Sequence, residues 1–195
     1  RNCKDVMVSH LKKQHLCMNI SDHKVFVFDL GMVLVTLYRK ECVENFRLLG
    51  IEDAAAMIGN SSQNGPFGAL EYGLISVEKF CDELAQISSK TITEKDILNA
   101  WNSMIGETPV DLLNMIYRLR HEFGKTVCML SNVNQPHIDN VMQNHFRQVE
   151  GRDIHDYFDA LYFGLSFQIY YLYRQTWCSR CQILLQFDFA VYWRI

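Results

Sequence analysis

Two apolar runs in this chain end on polar side chains: KVFVFDLG closes with Asp29 and Gly31, and TVCMLSN closes with Ser131 and Asn132. A desolvated, unpaired carboxylate costs on the order of several kcal/mol. Asp29 therefore needs a partner, or a place at the strand's mouth where water or a cation reaches it. Other groups able to do chemistry read more plainly. Cys178 and Cys181 form a CxxC with no second ligand pair at zinc spacing and no strand-then-helix redox context, so they are read as incidental thiols. His10 and His15 lie among lysines in a solvated basic segment, and His137 is read as a helix-start or surface histidine, not a catalytic base.

The elements that must position Asp29 and Ser131 follow from the punctuation around them. Residues 24–29 alternate and then run apolar, as a buried parallel strand does before it opens into a loop. From about Lys40 to Leu49, Val43, Phe46 and Leu49 recur at helical spacing, and Gly50 takes the C′ position. Residues 58–73 are rich in Gly, Ser and Asn and read as a loop or a helix broken by turns. Ser76 caps a helix with Val77, Phe80, Leu84 and Ile87 on one face, and Thr93 caps another whose buried stripe is Ile97, Trp101, Met104 and Ile105.

Thr108 as N-cap, Pro109 at N1 and Asp111 in the first turn start a third helix. Its apolar face is Leu112, Leu113, Ile116, Leu119 and Phe123, and Gly124 stops it. After Lys125 the β-branched run TVCML predicts a second strand. Helix followed by strand implies a parallel α/β sheet, in which ligands bind beyond the carboxyl ends of neighbouring strands. Asp29 and Ser131 share that crevice if their strands are adjacent.

Composition narrows the partners. The chain has 195 residues, 49% of them hydrophobic and 21% charged, enough for one ordinary core with a small inserted unit. Its formal charge of −3 arises from interspersed acids and bases with no long basic run, so neither a nucleic acid nor a membrane partner is expected. Oligomeric state is not encoded in any pattern. Seven scattered cysteines favour reduced thiols and a cytoplasmic setting over a disulfide framework. Residues 1–24 carry His10, Lys12, Lys13 and His15 where a secretory leader needs an apolar core, so none is expected.

FDLGMVLV, a helical insert and CMLSNVNQPHID together resemble the haloacid dehalogenase (HAD) superfamily, in the branch of small phosphatases whose first motif is Asp-Leu-Gly. LEYGLISVEKFCDEL and AWNSMIGETP are similar to that branch's cap segment and its return to the core, and the likeness covers residues 24–163. The resemblance implies a Rossmann-like, three-layer α/β core with a parallel sheet, formed by residues 24–40 and 108–195. Residues 41–107 would be a helical cap and residues 1–23 an N-terminal extension. It also implies Mg²⁺-dependent hydrolysis of a small phosphorylated metabolite, with sugar phosphates the favoured class. Asp29 would be the nucleophile that forms an aspartyl-phosphate, Ser131 and Asn132 would hold the phosphoryl oxygens, and Asp29 with the Gly31 backbone carbonyl would ligate the metal.

Gly31 stands where much of the superfamily has a second aspartate, which agrees with the Asp-Leu-Gly branch. The family continues with a lysine, usually beside a proline, and then a strand ending in acidic metal ligands. Residues 165–195 contain no Lys, Glu, Gly or Pro, one acid at Asp188 and nine aromatics. That break in composition is read as translation in a shifted frame, with divergence after loss of function as the alternative. Asp188 is the one residue there able to imitate a strand-end metal ligand, and Arg174 or Arg180 could replace the missing lysine's charge. The competing reading of the chain is an inactive binding or interaction module that keeps the crevice.

Overall fold

A computed structural model of the protein describes residues 23–59 and 64–164. The two apolar runs form the strands β1 (Val25–Phe28) and β2 (Thr126–Asn132), and a third strand, β3 (Ala160–Gly164), lies on the far side of β2. All pairings are parallel in the order β1-β2-β3, with Phe28 level with Met129 and Asn132 level with Gly164. Asp159 fixes β3 to the start of β2, because its amide donates to the Val127 carbonyl and its carboxylate accepts from the Val127 amide.

Between the first two strands run α1 (Arg39–Leu48), α2 (Ala54–Met57), α3 (Gly65–Glu71), α4 (Val77–Ile87), α5 (Glu94–Asn102) and α6 (Val110–His121). After β2 come α7 (Gln135–Asn144) and α8 (Ile154–Tyr157). Buried residues divide into two clusters. One joins the sheet residues Phe26, Val127 and Met129 to Leu113, Ile116 and Leu119 of α6, Val141 of α7 and Tyr157 of α8. The other belongs to the helices before α6 and centres on Phe46, Phe67, Phe80 and Trp101, whose ring centroids lie 4.9 to 6.4 Å apart. Burial of four such aromatics gives the helical insert its own core.

The two chain crossings between these cores are paired with each other. Leu37 bridges Ile105 in antiparallel fashion, the Tyr38 amide donates to the Met104 carbonyl, the Thr36 amide to the Glu107 carbonyl and the Gly106 amide to the Thr36 carbonyl. The Thr36 and Tyr38 hydroxyls also donate to the Glu107 carboxylate.

Of the two readings of segment 58–73, the helix holds over Gly65–Glu71, α3, where Phe67, Gly68 and Leu70 are buried against neighbouring helices. Several local expectations are corrected. Pro109, not Thr108, occupies the N-cap of α6; the Thr108 hydroxyl instead lies 3.1 Å from His145 Nδ1. Ile87 and Phe123 fall at the ends of their elements and are exposed, while Ile105 lies beyond α5 and packs against the sheet cluster. Ser76 and Thr93 do cap α4 and α5, and Gly50 and Gly124 end their helices at positive φ, as expected. No helix among the described residues is long and apolar enough to cross a membrane.

Candidate active site

Asp29 follows β1 directly, and the chain then turns back on itself: the Leu34 and Val35 amides both donate to the Leu30 carbonyl, and the Met32 amide donates to Val35. That tight turn holds Met32 at a φ of 60°, a left-handed conformation rare for a residue with a side chain. Leu30, Leu34 and Val35 are buried, so the turn is anchored while Asp29 stays accessible at the strand's mouth. Its Oδ1 accepts the Leu30 amide at 2.7 Å.

Ser131 is buried at the tip of the adjacent strand, close enough for its side chain to favour the charged form of the Asp29 carboxylate. Protein packed around Asp29 pushes its carboxyl up from the ordinary carboxylate range, against the opposing pull of the Leu30 amide and Ser131. The carboxylate thus has both things it needs: a hydrogen-bond donor in the Leu30 amide and an open side. Asn132 is the exposed last residue of β2. A serine after a strand could simply cap the next helix, but α7 is capped by Asn134, whose Oδ1 accepts from the His137 amide. Ser131 is left for the crevice.

His137 is at a helix start, as expected, but it is not a surface residue. It is 5% exposed, and burial lowers its pKa to about 4. Cys42, Cys81 and Cys128 are buried and form no disulfide; burial raises the Cys42 thiol to about 12 and Cys81 to about 11, far from a thiolate nucleophile. Asp188, Arg174, Arg180, Cys178, Cys181, His10 and His15 lie outside the described residues.

No protein-family model matches the chain. It is 32% identical over 146 residues to a D-ribitol-5-phosphate phosphatase of Bacteroides thetaiotaomicron, covering 75% of this chain and 68% of that protein. The chain belongs to the HAD family. Solved structures of family members agree with the architecture. A HAD family enzyme from Bacteroides thetaiotaomicron, in complex with magnesium and inorganic phosphate, superposes with a TM-score of 0.65 at 32% identity over 75% of this chain and 70% of that one. A HAD-like hydrolase from Porphyromonas gingivalis, 28% identical, superposes with a TM-score of 0.62 over 84% and 74%.

The donor chemistry of this HAD crevice suits a hard cation. Among the described residues no group of three or more His, Cys, Asp or Glu side chains could hold a metal, and Asp29, exposed at the end of β1, is a hard oxygen donor. Mg²⁺ accepts such a sparse set, because it keeps several waters and completes its shell with one or two carboxylates and substrate phosphate oxygens. A soft metal would not.

Proposed function

We propose that this HAD protein is a phosphomonoester hydrolase acting on small phosphorylated metabolites, sugar or sugar-alcohol phosphates being its substrate class, in the cytoplasm. The observation that carries this reading is the adjacency of β1 and β2, with Asp29 directly after one and Ser131 near the end of the other, where Ser131 favours the charged carboxylate. The likeness to a D-ribitol-5-phosphate phosphatase supports the substrate class.

Asp29 is the nucleophile. One of its carboxylate oxygens attacks phosphorus, the ester P–O bond breaks, and the leaving alkoxide takes a proton from solvent water. Water then attacks phosphorus in the aspartyl-phosphate, which frees inorganic phosphate and restores Asp29. Ser131 and Asn132 donate to the phosphoryl oxygens, and the anchored turn at residues 30–35 keeps the attacking oxygen in line. Asp29 and the Gly31 carbonyl would hold Mg²⁺, which when bound neutralises charge on the phosphate. Residues 24–40 and 108 onward form the catalytic core, and residues 41–107 are a cap that closes over the leaving group.

The test is phosphate release by the whole chain with Mg²⁺, from p-nitrophenyl phosphate and from a panel that includes ribitol 5-phosphate and hexose phosphates. Expected is Mg²⁺-dependent turnover, reduced by at least about a thousandfold in Asp29→Asn, as the loss of a nucleophile demands. Turnover that survives Asp29→Asn, or none with any monoester, would overturn the assignment.

A further inference from the structure

Three residues outside the catalytic crevice form a closed hydrogen-bonded circuit that no part of the proposed chemistry uses. The Trp101 indole N–H donates to Asn134 Oδ1 at 3.2 Å, and the same oxygen accepts the His137 amide. Asn134 Nδ2 lies 3.2 Å from His137 Nδ1, and His137 Nε2 lies 3.0 Å from the Trp101 carbonyl. A carbonyl can only accept, so the ring proton sits on Nε2 and Nδ1 is the acceptor for the Asn134 amide. Every buried polar group of the circuit is then satisfied, and the imidazole is neutral. The two rings also stack, with centroids 4.5 Å apart and planes 21° from parallel.

This circuit crosses the boundary between the two cores. Trp101 ends α5 and stands among Phe46, Phe67 and Phe80 of the helical insert. Asn134 is the N-cap of α7 and His137 lies in its first turn, directly after the end of β2 where Ser131 is buried. Only Asn132 and Val133 separate Ser131 from Asn134. A shift of α5 against the sheet therefore moves the turn that aims Ser131 at Asp29.

We propose that Trp101, Asn134 and His137 are a positioning unit that registers the helical insert against the phosphate-binding turn. They touch no substrate; they act through Ser131 and Asn132. The inference rests on the phosphatase reading for its kinetic consequence, and on the turn's geometry for the rest.

Trp101→Phe keeps the stack and most of the buried volume but deletes the indole donor, and His137→Phe keeps the stack but deletes both ring nitrogens. Leu84→Ala, inside the insert core, serves as a destabilised control. Each is measured for kcat and KM with p-nitrophenyl phosphate, for melting temperature, and by amide NMR of Ser131 to Asn134. Expected is a fall in kcat of at least about tenfold in Trp101→Phe with KM within about threefold, since transition-state contacts are lost more than ground-state binding. Leu84→Ala should melt lower at unchanged kcat. Should His137→Phe fail to fold, Trp101→Phe carries the test alone.

The proposal is overturned if Trp101→Phe leaves the Ser131 and Asn132 amide resonances where they are in the parent. It is equally overturned if kcat tracks melting temperature across all three variants, which marks a purely structural role. If the parent chain turns over no monoester, displaced Ser131 and Asn132 resonances in Trp101→Phe still support the positioning unit while the phosphatase reading falls.

Discussion

His137 is useful to this protein because it is uncharged. Both ring nitrogens are committed, one as donor to the Trp101 carbonyl and one as acceptor from Asn134, so a second proton would set donor against donor. Burial lowers its pKa from 6.5 in the unfolded chain to about 4 in the fold. Between these values the unfolded chain binds a proton that the folded chain does not, so stability falls as pH falls. This contribution is fully present above the unfolded pKa and exhausted below the folded one, a loss of about 3 kcal/mol. Urea unfolding of the parent and of His137→Phe at about pH 7.5 and about pH 4 isolates it: the stability advantage of the parent should shrink by that amount at the lower pH. An advantage that stays constant would show that the ring titrates normally in the fold. Asp29 and Ser131 were legible in the sequence, because each ends an apolar run on a polar group. The circuit at His137 was not, because its partners are 36 positions apart and each alone reads as core or surface.

At the level of elements, local signals decided what could be read. The caps at Ser76 and Thr93 and the stops at Gly50 and Gly124 act within one turn of chain, so their residue types suffice. In the Gly- and Ser-rich stretch that holds α3 the sequence leaves loop and broken helix open, because burial of Phe67 and Leu70, not propensity, makes it a helix. β3 is five residues long and was silent. The paired linkers were invisible for the same reason: Leu37 finds Ile105 only in the folded chain. Their contact leaves no room beside Gly106, where an added Cβ would overlap the Thr36 hydroxyl and come within 2.8 Å of the Tyr38 ring. Gly106→Ala should therefore push both side chains off Glu107 and lower stability by about 1–3 kcal/mol, the usual cost of overpacking. A thermal melt reads this directly, and an unchanged melting temperature would mean that the linkers re-pack without loss.

The described residues form two cores, each with its own aromatic and aliphatic cluster, and two hydrogen-bonded joints link them. One is the linker pair around Glu107, and the other is the Trp101–Asn134–His137 circuit. These two joints make separate unfolding of either core costly. Opening the insert alone would take the Trp101 carbonyl from His137 Nε2 and the indole donor from Asn134 Oδ1, leaving the ring N–H unpaired at a cost of about 1–3 kcal/mol. Native-state hydrogen exchange in low denaturant should then give the same opening free energy for amides of Val127 to Met129 in the sheet and of Phe80 to Leu84 in the insert. In Trp101→Phe the insert amides should exchange at lower free energy than those of the sheet, because one joint is gone. Parent amides that already separate into two energies would show that the insert unfolds on its own, and that the circuit aligns the two cores without binding their stabilities together.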